Sequence, residues 1–154
     1  MRRLSTKYGN IVLSTLAPEK HSDTPGLDVA TNKRPKVLVV DDEAITRSIV
    51  NVKIRVIGAD VSEAEDGTTA LSLLGAKRFD LVIVDLDMPK MTGIELISRI
   101  RNELQLKHLP IVVLTGSEIK TALNAALLAG ATSFMQKPLN WSCFGPHIRH
   151  LLRI

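Results

Sequence analysis

Short, continuous runs of apolar residues recur along the chain from residue 36 onward, and they predict the strands. Three runs are strong and rich in β-branched residues, at 37–40, 81–84 and 111–114. Apolar runs without alternation are typical of strands buried on both faces of a parallel sheet. Two weaker runs, at 60–64 and 132–135, complete a predicted set of five strands.

Apolar residues at helical spacing fill the segments between the strands. The first stripe predicts a helix that ends at Gly58, and its members are Ile45, Ile49, Val52 and Val56. A short helix is predicted over 69–76, around Leu71 and Leu74. Three further stripes are Ile94, Ile97, Ile100 and Leu104; Ile119, Leu123, Ala126 and Leu127, ended by Gly130; and Ile148, Leu151 and Leu152.

Strand and helix therefore alternate five times. This alternation predicts an α/β protein with a doubly wound five-stranded parallel sheet, for which we expect the strand order 2-1-3-4-5. The last helix is the least regular, because Gly145-Pro146 either weakens it or marks its first turn.

The first 35 residues differ from the rest in composition. They contain three prolines and scattered Ser, Thr and Asn, with one apolar patch, IVLSTLA, at 11–17. We predict a flexible N-terminal extension at 1–35 and a folded domain at 36–154. Alternatively, the apolar patch docks as a short element on the domain or on a partner.

Composition and charge narrow the classes of function. Hydrophobic residues make up 45% and charged residues 23%, as in ordinary globular proteins. There is neither an apolar run of about 18 residues nor a signal peptide, so we expect a cytoplasmic protein without a membrane partner. The net charge is +4, of which the first 35 residues carry six basic against three acidic residues. The domain is nearly neutral, which predicts no direct nucleic-acid binding.

Polar residues follow the predicted strands at the point where each strand ends. Asp41 and Asp42 end the first strand, Asp85 the third and Thr115 the fourth, and Lys137 follows the fifth. In open α/β sheets, ligands bind outside the carboxyl ends of the strands, where the strand order reverses. With strands one and three adjacent, the three aspartates converge, and Thr115 and Lys137 lie opposite them.

Three carboxylates in one crevice need a proton or a cation. Two carboxylates about 4 Å apart repel by roughly 4 kcal/mol at an effective dielectric of 20. An acidic, all-oxygen site with few protein ligands suits Mg²⁺, which also neutralises an incoming phosphoryl group. A lysine and a hydroxyl opposite the metal are suited to hold the remaining phosphoryl oxygens.

Four motifs in this order resemble one known family. They are VVDDE at 39–43, DLDMPKMTG at 85–93, LTGSE at 114–118 and FMQKP at 134–138. Through these four motifs, residues 36–154 resemble the receiver domain of two-component response regulators. The resemblance implies a flavodoxin-like receiver fold and a signalling protein that catalyses only its own phosphorylation and dephosphorylation. It also implies a histidine kinase or histidine phosphotransfer protein as donor and an unidentified protein as downstream target.

The resemblance also assigns roles at the acidic site. Asp85 would be the phosphoacceptor. Asp42 would bind Mg²⁺ directly, Asp41 would help through a water, and Asp87 would offer its backbone carbonyl. The implied metal-binding set is therefore Asp41, Asp42, Asp85 and Asp87.

Further roles are implied opposite the metal. Thr115 and Lys137 would hold the phosphoryl group, and the bond between Lys137 and Pro138 would be cis. Phe134 lies at the position of the family's switch aromatic, and would turn inward when Thr115 moves toward the phosphoryl group. The fourth helix, fifth strand and fifth helix would present the changed surface.

Other interpretations remain open. The acids at 41–43 could cap the first helix, and Phe134 and Trp141 could be ordinary core residues. The DLD at 85–87 also resembles the first motif of haloacid-dehalogenase-type phosphatases, although here it lies on the third strand. A third possibility is an interaction module that needs no phosphorylation. We expect a stand-alone receiver, and a domain excised from a longer protein is the alternative that the sequence leaves open.

Overall fold

The computed structural model describes residues 33–116 and 120–154. Five parallel strands form one sheet in the order β2-β1-β3-β4-β5, which confirms the predicted topology. The weak fifth strand begins and ends one residue later than predicted. The strands are β1 Lys36–Val40, β2 Asp60–Ala64, β3 Leu81–Asp85, β4 Ile111–Thr115 and β5 Ser133–Gln136.

Five helices alternate with the strands, as predicted. They are α1 Ala44–Ile57, α2 Gly67–Ala76, α3 Gly93–Asn102, α4 Lys120–Ala129 and α5 Trp141–Leu152. Helix α2 begins two residues before the predicted start, because Asp66 accepts a hydrogen bond from the Thr69 N–H at 2.7 Å and caps it. Of the two alternatives for Gly145-Pro146, a position in the first turn of α5 is wrong. Helix α5 begins at Trp141, after Asn140 at its N-cap, and Pro146 lies inside it.

Two apolar clusters cover the two faces of the sheet. One face packs under α1 and α5, whose fully buried residues include Val50, Ile54, Phe144 and Ile148. The other face packs under α2, α3 and α4. Strands β3 and β4 are buried at every position, which accounts for their unbroken apolar sequence.

Helix α1 carries two apolar stripes, and the stripe that predicted it faces away from the core. Val50 and Ile54 are its fully buried residues. The predicted stripe is exposed: Ile45 by 70%, Ile49 by 44%, Val52 by 60% and Val56 by 77%. The periodicity located the helix correctly but did not indicate its buried face, because both stripes have helical spacing.

Residues Arg34–Ile154 form one compact unit. The extension predicted at 1–35, with its apolar patch at 11–17, lies almost wholly outside the described residues. Among the described residues, no helix is long and apolar enough to cross a membrane.

Candidate functional site

Three aspartates meet at the carboxyl edge of the sheet. Carboxylate oxygens of Asp41, Asp42 and Asp85 all lie within 4.8 Å of one another. The reason is topological, because β1 and β3 are neighbours and Asp41 and Asp85 stand at the same edge. Asp41 and Asp85 are buried, whereas Asp42 is open to solvent. The predicted convergence of the three acids is therefore observed.

Lys137 reaches this cluster from the loop after β5. Its Nζ lies 3.1 Å from Asp41 Oδ2 and 3.4 Å from Asp85 Oδ1. The backbone N–H of Lys137 donates to the carbonyl of Thr115 at 2.8 Å, which ties this loop to the end of β4. The expected cis bond between Lys137 and Pro138 is present.

The electrostatics of Asp85 and Lys137 follow from burial and from mutual charge. Burial raises the pKa of Asp85, and the nearby Asp41 charge raises it further, while Lys137 acts in the opposite direction. Burial by itself lowers the pKa of Lys137, but the charges of Asp85 and Asp41 outweigh that effect and the pKa is raised. Lys137 is therefore an ammonium ion that partly neutralises two carboxylates.

Backbone N–H groups orient two of the carboxylates. Asp41 Oδ1 accepts from the Glu43 N–H at 2.8 Å, and Asp85 Oδ1 faces the Asp87 N–H at 3.4 Å. Glu43 occupies the N-cap position of α1 without making a side-chain capping bond. The interpretation of these acids as simple helix caps is thus not supported. Instead, Asp41 points into the cluster, toward Lys137.

The start of α3 packs directly behind Asp85. A Cβ atom at Gly93 would lie 2.5 Å from the Asp85 carbonyl oxygen and 2.8 Å from Leu86 Cα. Only glycine allows the helix to approach the strand end this closely. The glycine at the end of the DLDMPKMTG motif is therefore required by packing, whereas the aspartate at its start belongs to the acidic cluster.

The remaining predicted residues surround the cluster. Thr115 is fully buried at the end of β4, in register with Gln136 of β5. Asp87 is exposed, and its side chain is not part of the acidic cluster. Phe134 is 45% exposed on β5 and belongs to neither core cluster, so the core-packing interpretation is wrong for this residue.

The donor set fits a hard divalent cation. Three carboxylates offer only oxygen ligands, and the open side at Asp42 leaves room for water. Mg²⁺ prefers few carboxylates and several waters. Asp41, Asp42 and Asp85 could therefore bind a metal.

An apolar surface beside the cluster was not predicted from the sequence. We call Ile45, Ile49, Val52 and Val56 the α1 surface. A cavity of about 270 Å³ adjoins it, and its lining includes Ile49, Trp141 and Lys137. Trp141 is 37% exposed and packs edge-on against Phe144, so it is only partly a core residue. The available signal was the presence of two separate apolar stripes on α1.

Comparisons with known proteins agree with this geometry. Residues 37–144 match the family described as the response regulator receiver domain. The chain is 38% identical over 113 residues to "Chemotaxis protein CheY-3" of Vibrio cholerae, covering 73% of this chain and 87% of that protein. It is 37% identical over 118 residues to "Two-component response regulator ARR17" of Arabidopsis thaliana, covering 69% and 77%.

Solved structures are similar as well. Chemotaxis protein CheY4 of Vibrio cholerae superposes with a TM-score of 0.72 at 33% identity, over 77% of this chain and 98% of that one. The receiver domain of the Francisella response regulator 1452 gives 0.72 at 26% identity, over 78% and 98%. The chain belongs to the response regulator receiver domain family of two-component systems. Its relatives are signalling proteins rather than classical enzymes.

Proposed function

We propose that this protein accepts a phosphoryl group on Asp85, in a Mg²⁺-dependent reaction, from a phosphohistidine of a histidine kinase or phosphotransfer protein. The observation that carries the proposal is the position of Lys137 Nζ between Asp85 and Asp41, beside a third carboxylate. Such a site combines a carboxylate nucleophile with charges that can hold phosphoryl oxygens.

The transfer makes one bond and breaks one bond. An oxygen of the Asp85 carboxylate attacks phosphorus, the P–N bond to the donor imidazole breaks, and the imidazole leaves with the bonding electron pair. Lys137 pairs with a phosphoryl oxygen and so gives up part of its attraction to Asp41. Asp41 and Asp42, with Asp85 and the carbonyl of Asp87, would hold Mg²⁺, which supplies positive charge against the phosphoryl oxygens.

The signal is the charge added at Asp85. Phosphorylation adds nearly two negative charges at neutral pH. In the proposal, the hydroxyl of Thr115 and the ammonium of Lys137 are the two groups that respond to that charge. A shift of Thr115 opens space toward which Phe134 can turn, and the surface of α4, β5 and α5 changes with it. An unidentified downstream protein reads that surface.

The donor docks on the α1 surface in this proposal. The four residues follow the spacing i, i+4, i+7 and i+11, which is the a/d pattern of a helix that packs against another helix. Ile45 lies only three residues beyond Asp42, so a helix on this surface carries its phosphohistidine close to Asp85. Lys53 and Arg55 flank the stripe, which favours a donor helix with acidic flanks.

The rival functions make different demands. A haloacid-dehalogenase-type phosphatase would need its DLD motif on the first strand, whereas here β3 carries it. An interaction module that ignores phosphorylation would have no need for Lys137 beside two buried acids. We therefore place the receiver function first.

The test is phosphorylation by a small donor. The protein is incubated with Mg²⁺ and acetyl phosphate and then weighed intact. We expect a gain of one phosphoryl mass that is absent without Mg²⁺ and absent in Asp85→Asn. Asp80→Asn is the matched control, because Asp80 lies next to the other end of β3, where it accepts from the Lys36 N–H at 2.7 Å.

The alternatives predict other outcomes. Rapid turnover of small phosphoesters without a lasting adduct would favour the phosphatase. Failure both to form the adduct and to bind beryllofluoride with Mg²⁺ would overturn the proposal and favour the interaction module.

A further inference from the structure

We propose that Arg47 and Glu63 form a positioning pair that fixes the loop carrying Asp41 and Asp42, and thereby sets the affinity of the acidic cluster for its cation. The inference rests on the proposed function, because it assigns a cation to that cluster. It concerns two residues that lie outside the cluster and outside the motifs that predicted it.

The guanidinium of Arg47 bridges the metal-binding loop and β2. Its Nη1 donates to the backbone carbonyl of Asp41 at 2.6 Å, and its Nε donates to Glu63 Oε2 at 3.2 Å. Arg47 stands in the first turn of α1, and Glu63 stands on the edge strand β2. One side chain thus joins three elements around the first acidic loop.

The pair is itself held in place. The side chain of Arg47 is 15% exposed and that of Glu63 is 34% exposed. The other carboxylate oxygen of Glu63 accepts from Asn51 Nδ2, and Asn51 Oδ1 accepts from Arg55 Nε at 2.7 Å. Glu63 therefore presents a fixed acceptor, which restricts the geometry available to Arg47.

The held carbonyl has a direct consequence for Asp42. The Asp41 carbonyl belongs to the peptide group that links Asp41 to Asp42, so its direction sets how Asp42 leaves the strand. Within residues 33–116 and 120–154, the carboxylate of Asp42 makes no hydrogen bond or ion pair, and the residue is exposed. Its orientation depends on the backbone, and Arg47 holds that backbone at the Asp41 carbonyl.

Loss of the Arg47 guanidinium should have two effects on the Mg²⁺ affinity of the cluster, and these effects are opposite in sign. Removing a cation from beside three acids strengthens their attraction for Mg²⁺. Losing the bond to the Asp41 carbonyl loosens the ligands and weakens metal binding. Loss of groups that orient metal ligands typically weakens affinity by about 10- to 100-fold, so we expect the positional effect to exceed the charge effect.

The test measures Mg²⁺ affinity by NMR titration of the full chain. In Arg47→Met, which keeps most of the aliphatic stem, we expect the Mg²⁺ dissociation constant to rise at least about tenfold. Arg47→Lys keeps the charge but has no planar fork to span both acceptors, so it should resemble Arg47→Met. Glu63→Gln, which keeps an oxygen acceptor, should give a smaller loss, below about tenfold.

A second readout needs no metal. The Glu43 N–H donates to Asp41 Oδ1, so its hydrogen exchange reports how well the loop is ordered. We expect faster exchange of this amide in metal-free Arg47→Met. Arg99→Met is the matched control, since Arg99 pairs with Glu103 at the end of α3 and has no contact with the acidic loop or with Glu63. It should leave both readouts unchanged.

Three outcomes would overturn the inference. One is an unchanged or tighter Mg²⁺ affinity in folded Arg47→Met, or in Glu63→Gln if the former does not fold. Another is full restoration by Arg47→Lys, which would make charge alone sufficient. The last is a wild-type protein that binds no Mg²⁺, in which case the proposed function fails as well. If wild type binds Mg²⁺ and gains the phosphoryl group while Arg47→Met binds equally well, only the positioning role fails.

Discussion

The ammonium of Lys137 lies 3.4 Å from Asp85 Oδ1, although the two residues end different strands and are separated by β4 in the sheet. This contact opposes the rise in the pKa of Asp85 that burial and the Asp41 charge cause. Lys137 therefore limits the rise in the pKa of the proposed nucleophile.

We expect Lys137→Met to raise the pKa of Asp85 further. The attacking species is the ionised carboxylate, so the midpoint of the phosphorylation rate against pH should move to higher pH. The measurement is the initial rate with acetyl phosphate across an acidic to neutral pH series. Lys137→Arg, which keeps the charge, should shift the midpoint less. An unchanged midpoint in Lys137→Met would show that the lysine does not control Asp85.

Asp85→Asn should stabilise the metal-free protein at neutral pH. Because the folded-state pKa of Asp85 is raised, the folded protein binds its proton more tightly than the unfolded chain does. Stability is therefore lost as pH rises from the ordinary value near 3.8 through the raised value. Asparagine carries no such penalty, so the gain should be full above the raised pKa and should vanish below the ordinary one.

Denaturant unfolding in the presence of a chelator, at neutral and at acidic pH, measures this difference. Asp80→Asn removes an exposed carboxylate that accepts a backbone N–H, and it should give no comparable gain. An Asp85→Asn gain that is the same at all pH values would contradict the electrostatic explanation.

Two valines on α1 test which stripe of the helix belongs to the core. Val50 is fully buried and Val52 is 60% exposed. Val50→Ala should cost about 2 kcal/mol of unfolding free energy, because it removes buried methyl groups and leaves a cavity. Val52→Ala should change stability by less than about 0.5 kcal/mol. The measurement is urea unfolding of both variants. Equal losses of unfolding free energy would contradict the observed orientation of α1.

The exposed valine of this pair, Val52, should also contribute to donor binding. Val52→Ala should weaken binding of a phosphodonor helix to the α1 surface while leaving the small-donor reaction intact. Binding is measured by titrating a purified phosphotransfer protein. Lys77→Ala is the control, because Lys77 is exposed at the end of α2, which packs on the other face of the sheet from α1. Equal donor affinity for Val52→Ala and wild type would remove the α1 surface from the proposal.

The end of α4 depends on a glycine for two reasons. Gly130 has φ of 116°, and a Cβ there would lie 2.8 Å from Arg101 Cγ. Arg101 donates to the Gly130 carbonyl from Nε and Nη2 at 3.0 and 2.7 Å. Gly130→Ala should destabilise the protein by roughly 1–3 kcal/mol through backbone strain and displacement of Arg101.

A second glycine provides the matched control. Gly75 lies in α2 with open space where a Cβ would be. Gly75→Ala should therefore be neutral or should stabilise by about 0.5 kcal/mol. Thermal unfolding of both variants is the measurement. Similar changes in the two would contradict the assignment of strain to Gly130.

Much of the fold could be predicted from the local sequence. Strands β3 and β4 appear as unbroken apolar runs because helices cover both their faces, and Gly58 and Gly130 end helices where the pattern predicted. The acidic site followed from topology, since parallel strands end at one edge. The sequence left the position of Pro146 in α5 open, and the structure has it inside the helix rather than in the first turn. Tertiary packing of Phe144 and Ile148 outweighs its local cost.

The sequence by itself determined that there are five strand–helix units, that their order builds a receiver sheet, and that Asp41, Asp42 and Asp85 converge. Only the tertiary structure decided which stripe of α1 is buried and that Arg47 holds the acidic loop through the Asp41 carbonyl. The reason is that periodicity describes a segment alone, whereas burial and side-chain contacts depend on what packs against it. On α1 those partners are the flanking strands β1 and β2 together with α5, which begins only at Trp141, far along the chain.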